Sequence, residues 1–478
     1  MDVISHERVR LAKALVESGR FDRYEAALEF LEQTEVAVKI GEAAATPAGQ
    51  AAFLTAVATS VRAFGSVLVQ GALDAGLLVP LVPGARDLRA AAVELGAFES
   101  GSLNAKTILI GEDSVPPASW SVRTFANRWT AGIQPGTAKP KPQDQSNALA
   151  GIFAGAMAVA QVFRSLEGRA TAGRREAMMS LWHPEGSPTD RGPQQFKLPK
   201  EAWLVGLGHL GQGYLWSLAA LPYARPEDLL LVLQDDDDVE APNWGTSLVV
   251  PRGKYGDPKT RYGLAWAKAR SFRTKIIERF LDGHTRVADD GREPRFAMAG
   301  LHDLETRKLM AATGFNVVMD GGLGAKHSDF MHFAVNIFHA GRSAARHWEG
   351  ALQEQTKQRE HSELNDPRLA LPAYTALATR DPCGAAMLAG KSVAGAFVGA
   401  AAGAVMAAQA VRLASTGTCC EAVIGPLDDV TSVRASRTCT PDLGIPYCET
   451  WSPHPADLSD PCDGDPVREA AGATLQTE

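Results

Sequence analysis

One run constrains the fold of this chain more than any other: "AWLVGLGHLGQGYLWSLAALPYARPEDLLLVLQDDDD", from Ala202 to Asp238. A short apolar stretch leads into Gly206, Gly208 and Gly211. A helical stretch follows, and a second apolar stretch ends in consecutive aspartates. Glycines there let the backbone turn tightly and come close to a phosphate, and the start of the helix offers free N–H groups and a positive dipole end. The pattern continues as strand (202–206), helix (about 210–221), strand (229–234), helix (259–282) and a strand ending at Asp320. Strands alternating with helices predict an α/β fold with a mainly parallel sheet flanked by helices. His209 reads as an ordinary loop residue.

A dinucleotide-binding dehydrogenase needs one acid after its second strand. Here the pattern is Asp235-x-Asp237-x-Val239-Glu240-x-x-Asn243. Lys259 then stands at the start of a predicted helix, within reach of a phosphate. Asp320 ends the strand "NVVMD" with Gly321 and Gly322 behind it, where ligands bind in such sheets. An acid at that position can hold Mg²⁺ on a nucleotide.

Taken in order, GxGxxG, DxDxVExxN, GxPK and VVxD resemble the ThiF-type superfamily. It comprises the adenylyltransferases of thiamine and molybdopterin biosynthesis and the ubiquitin-activating enzymes. The resemblance covers about residues 200 to 415. It implies a Rossmann-like adenylation fold and the use of ATP and Mg²⁺. It assigns ribose binding to Asp235, phosphate contacts to Asn243 and Lys259, and the metal to Asp320, with Gly206, Gly208, Gly211 and Asp237 completing the nucleotide site. The family's Arg-Gln after the Asn is replaced by Thr246 and Ser247, so an arginine must come from elsewhere, either Arg252 or the first half. The CxxC pairs of the biosynthetic members are absent, and no structural zinc is expected.

Cys383, after Pro382 and before Gly384, resembles the acceptor cysteine of ubiquitin-activating relatives. A helix start favours a thiolate, and the resemblance implies Cys383 and Asp320 as the catalytic pair. The nearby "GKS" is not a Walker A loop, because five residues separate Gly384 from Gly390.

The chain has 478 residues, enough for two or three domains. "ALAGIFAGAMAVAQVFR" from Ala148 and "SVAGAFVGAAAGAVMAAQAVR" from Ser392 share AGxFxGA, and each ends in Gln-x-x-Arg. This points to two copies of one fold. The expected division is an N-terminal helical segment (1–44), an inactive adenylation-like domain (45–168) and a linker (169–200). An active ATP-binding domain with the cysteine loop (201–417) and an irregular tail (418–478) follow. The Ala/Gly-rich segment from Ser392 reads as a buried helix, so no membrane is expected. The net charge of −7 gives no reason to expect nucleic acid. Six cysteines and no apolar leader fit a reducing cytoplasm.

The arrangement most resembles the activating enzymes of bacterial ubiquitin-like conjugation operons, including antiphage ones. It implies adenylation of the C-terminal glycine of a ubiquitin-like protein, a thioester on Cys383, and transfer to a conjugating-enzyme-like protein; a homodimer is left open. The rival readings are a biosynthetic adenylyltransferase of a sulfur carrier or peptide, an NAD-dependent oxidoreductase, and a non-catalytic scaffold.

Overall fold

Two sheets with the same strand order form the centre of the molecule. The computed structural model describes residues 2–100, 105–112, 120–288, 290–362 and 366–452. Helices α1 (Val9–Glu17) and α2 (Tyr24–Gln33) precede the first sheet. Its strands are β1 (Glu35–Ile40), β2 (Ser66–Gly71), β3 (Phe98–Glu99), β4 (Lys106–Ile110), β5 (Ser121–Asn127), β6 (Thr130–Pro135) and β7 (Ala177–Ser180). Helices α3 (Pro47–Ala63), α4 (Leu88–Leu95) and α5 (Ala148–Leu166) belong to this half. The order is β3-β2-β1-β4-β5-β6-β7, parallel as far as β5 and antiparallel from there.

After β8 (Phe196–Pro199) the pattern repeats with β9 (Glu201–Val205), β10 (Leu230–Gln234), β11 (Arg273–Ile277), β12 (Phe296–Ala299), β13 (Val317–Leu323) and β14 (His332–Phe338). The helices of this half are α6 (His209–Ala219), α7 (Ala241–Trp244), α8 (Lys259–Lys268), α9 (Leu304–Leu309), α10 (Ala344–Ser362), α11 (Pro372–Ala378), α12 (Pro382–Gly390) and α13 (Ala396–Thr416). The last strands are β15 (Cys419–Cys420), β16 (Ala422–Pro426), β17 (Arg434–Ala435), β18 (Thr438–Cys439) and β19 (Tyr447–Trp451). The second sheet runs β11-β10-β9-β12-β13-β14-β16-β17, again parallel as far as β13. The fold is α/β in two like halves, as the sequence predicts.

The shared AGxFxGA segments are α5 and α13, packed against each other and each against the first long helix of its own half. Their glycines make possible the close approach of α5 to α3 and of α13 to α6. A Cβ on Gly155 would meet the Ala52 carbonyl oxygen at 2.4 Å, and one on Gly403 would meet that of Gly213 at 2.3 Å. The polar ends repeat too. Gln161 donates to Asp428 O at 2.8 Å and Gln409 to Leu181 O at 2.8 Å, while Arg164 pairs with Asp428 and Arg412 with Glu185. Both helices are long and apolar enough to cross a membrane, but α13 is buried along its hydrophobic length inside the molecule.

The structure corrects several expected boundaries. The predicted helix 259–282 stops at Lys268, Ser271 takes a left-handed φ of 63°, and "RTKII" becomes edge strand β11. The first sheet takes β1 and β7 from outside 45–168, because hydrogen-bond pairing, which local pattern does not reveal, sets its limits. The tail is not irregular up to Ser452: β16 and β17 extend the second sheet, and β19 pairs with β8 from the expected linker. Cys419 and Cys439 face each other across β15 and β18 with sulfurs 3.7 Å apart, both buried. Cys462 lies outside the described residues.

Candidate active site

At the carboxyl ends of β9, β10 and β12 lies a cavity of about 390 Å³. Its wall carries Gly206, Gly208, Asp235, Asp237 and Lys259, so the structure brings together five residues the sequence singles out. Gly206 sits at φ 86°, where only glycine is unstrained, and a Cβ there would meet Gly300 O at 2.7 Å. Over Gly208 there is open space, with nothing within 4 Å of a built Cβ. Helix α6 starts at the next residue, so its free N–H groups face that space.

The first half differs at the equivalent place. After β1 comes a 3-10 turn, Glu42–Ala45, whose Ala43 packs where a Cβ on Gly111 would meet it at 2.3 Å. Ala43 and Ala44 of this turn are buried, whereas a Cβ on Gly208 would meet nothing within 4 Å.

The acids and the lysine form one network. Asp235 accepts from the Leu207 N–H at 2.5 Å and from the Asp237 N–H at 2.9 Å. Lys259, the first residue of α8, pairs with Asp237 at 2.5 Å and approaches Asp235 at 3.7 Å. Burial raises the Asp235 pKa, and the Lys259 ammonium opposes that. Asp235 thereby ties the glycine turn to the end of β10, and Lys259 is held at the wall.

Three expected residues lie elsewhere. Gly211 is a packing residue inside α6, where a Cβ would meet Gly206 O at 2.0 Å. Asn243 closes a capping box on α7, its side chain accepting from Glu240 N–H at 2.8 Å, and it is not on the cavity wall. Asp320 ends up behind the wall, at 1% exposure, paired with Arg307 at 3.2 Å. Its Oδ1 is buried without a hydrogen-bond partner, as is Nε1 of Trp348, although that indole also favours the charged carboxylate. Burial pushes the Asp320 carboxyl up to about 6 against the pull of Arg307.

The arginine left open by the sequence has three candidates on the wall: Arg10 of α1, Arg279 after β11, and Arg307 of α9. Arg252 is not among them, since it pairs with Glu7 at 2.8 Å and lies over Trp244. Burial lowers the Arg10 pKa to about 10, which leaves the guanidinium charged at neutral pH. No local signal marks these arginines, because they converge only in the tertiary structure. His209 is more than a loop residue: its Nε2 accepts from the Gly399 N–H at 3.0 Å, and burial lowers its pKa to about 4. The ring is therefore neutral and docks α6 on α13.

Cys383 is the second residue of α12, capped by Asp381, which accepts from Gly384 N–H at 2.8 Å. It is exposed and off the cavity wall. The segment that follows α12 returns to the cavity with Ser392, Val393 and Ala394.

Comparison with known proteins gives matches to two family models, the BilD N-terminal domain over residues 35–181 and the BilD C-terminal domain over residues 198–417. The chain is similar to a bacterial E1-like protein BilD of Collimonas sp. (strain OK412), 32% identical over 432 residues, 87% of this chain and 90% of that protein. Among solved structures, PaaA aligns at 14% identity and a TM-score of 0.32, over 50% of this chain and 72% of that one. E. coli MccB with succinimide aligns at 11% and 0.31, over 50% and 63%. E. coli TcdA in complex with ATP aligns at 14% and 0.25, over 29% and 57%.

Proposed function

The chain belongs to the BilD family of bacterial E1-like proteins, and on that premise we propose that it activates the C-terminal glycine of a ubiquitin-like protein with ATP. The observation that carries the reading is the cavity wall itself. An open glycine turn at a helix start, an acid on the following strand, one lysine and three arginines suit a nucleoside triphosphate. In an NAD-dependent oxidoreductase the glycine turn and Asp235 would serve equally, but Lys259 and Asp320 would have no clear task.

In this reading the phosphates lie over Gly208 against the first N–H groups of α6. Asp235 takes the ribose hydroxyls. Lys259, Arg10, Arg279 and Arg307 offset the phosphate charge. A carboxylate oxygen of the partner attacks the α-phosphorus, the bond to the bridging oxygen breaks, and pyrophosphate leaves. Most of the catalysis is positioning and charge stabilisation. The unpartnered Oδ1 of buried Asp320 fits a hard cation as one carboxylate ligand. Mg²⁺ bound there would neutralise triphosphate charge. Cys383 then attacks the acyl carbon of the adenylate, its S–C bond forms, the C–O bond to phosphate breaks, and AMP leaves with that electron pair. The thiol proton passes to solvent. A conjugating-enzyme-like protein accepts the acyl group, in a bacterial antiphage pathway of the cytoplasm. The filled turn at Glu42–Ala45 supports a catalytically silent first half.

ATP–pyrophosphate exchange tests this. Exchange should require the ubiquitin-like partner and should fall by about a hundredfold in Lys259→Ala. Exchange without the partner, or wild-type exchange in that variant, overturns the reading. A Cys383→Ala variant that still forms a reductant-sensitive adduct with the partner would move the acceptor to another cysteine.

A further inference from the structure

Helix α12 carries Cys383 on its first turn, yet it has little apolar surface to hold it in place. Its buried residues are Gly384, Ala385, Leu388 and Ala389, and Met387 is 52% exposed. Its carboxyl end is held instead by a charge from the other end of the chain. Lys13 of α1, with no exposed surface, donates to Leu388 O at 3.0 Å and Ala389 O at 3.3 Å. These carbonyls belong to the last turn of α12, where a cation is favoured, and Leu388 O also accepts from the Lys391 N–H at 3.2 Å. The same ammonium donates to Tyr374 of α11 and pairs with Glu17 at 2.5 Å, and Tyr374 donates to Glu17 at 2.9 Å. One turn before Lys13, Arg10 lies on the cavity wall and donates to Ser392 O, and its own carbonyl accepts from Ala394 N–H at 3.3 Å. Helix α1 therefore grips both the segment that lines the cavity and the helix that bears the cysteine.

We propose that Lys13 is a positioning residue for acyl transfer: it holds α12 so that Cys383 meets the activated carbonyl, and it has no part in adenylation. The proposal rests on Cys383 being the acceptor. A buried ammonium left without its partners, or Glu17 left without Lys13, would disturb folding, so the informative variant removes both charges at once. In Lys13→Met/Glu17→Leu the site stays filled by apolar groups, which such positions often tolerate, while the bonds to the α12 carbonyls are lost.

The test compares this double variant and Tyr374→Phe with the full-length wild type in three measurements: pyrophosphate exchange, the rate of the adduct on Cys383, and amide hydrogen exchange. The double variant should keep pyrophosphate exchange within about twofold while the adduct forms between about tenfold and a hundredfold more slowly, the range expected when a reacting group is misplaced. Residues 382–390 should lose amide protection and residues 206–211 should keep theirs. Tyr374→Phe retains the lysine–carbonyl bonds and should transfer nearly as wild type. Unchanged protection of 382–390 in the double variant, or pyrophosphate exchange and adduct falling together, overturns the proposal. If wild type forms no adduct on Cys383, the acceptor assignment fails, and the amide readout still decides whether Lys13 anchors α12.

Discussion

Asp320 carries the clearest pH signature. Its folded pKa is raised to about 6 from an ordinary value of 3.8, chiefly by burial. The folded state then holds a proton that the unfolded state has released, so this contribution is fully present below pH 4 and is lost as pH rises through 6. The loss is about 3 kcal/mol. Denaturant unfolding of wild type and Asp320→Asn should show it: the stability of wild type relative to the variant falls between pH 4 and pH 7. A constant difference would contradict the burial argument. The opposite effect of His209, whose folded pKa is depressed to about 4, is common to both proteins and cancels. Arg10 makes a second prediction at this scale. Removing one preorganised charge from a phosphate site costs about a hundredfold in rate, so Arg10→Ala should lose that much pyrophosphate exchange. Arg252→Ala, off the wall, should stay near wild type. The sequence made Gly206, Gly208, Asp235, Asp237 and Lys259 legible because they lie at fixed offsets from two strands. Arg10, Arg279 and Arg307 were not legible, since their meeting depends on three separate elements packing together. Asn243 makes a capping box on α7 with the same amide that the resemblance assigns to a phosphate, a role the pattern alone does not reveal.

At the scale of elements, the glycine spacing of α5 and α13 sets how closely each helix packs on the first long helix of its own half. Their i, i+4 glycines were readable because helical geometry puts them on one face. A Cβ on Gly403 points at the Gly213 carbonyl, which is backbone and yields only if a helix shifts. Gly403→Val should cost about 1–3 kcal/mol by overpacking, seen as a lower unfolding midpoint. Gly417, past the end of α13 with open space at its Cβ position, offers a comparison. Its φ of 69° predicts only the smaller cost of a side chain in a left-handed cap for Gly417→Ala. Element ends were harder to read. The run 259–282 keeps enough apolar residues to pass for one helix, and only pairing with β10 reveals "RTKII" as a strand. The tail strands were hidden in the same way. They are short, rich in Thr and Cys, and stabilised by the edges they cover rather than by their own periodicity.

The whole molecule is built of two like halves, and the proposed function gives it one nucleotide site, in the second. The strand orders match from β3-β2-β1 to β6-β7 and from β11-β10-β9 to β14-β16, so the duplication is in the topology and not only in two similar helices. What separates the halves is local: an open turn at Gly206–Gly208 in one, and a 3-10 turn filled by Ala43 in the other. Nucleotide binding should accordingly stabilise the chain with one ligand per molecule, and Lys259→Ala should weaken that stabilisation. The most direct measurement is a crystal structure of the chain grown with a non-hydrolysable ATP analogue. One nucleotide is predicted, with its phosphates against the first turn of α6 and its ribose at Asp235. A nucleotide at Gly41 in the first half, or phosphates bound away from Gly208, would contradict the account.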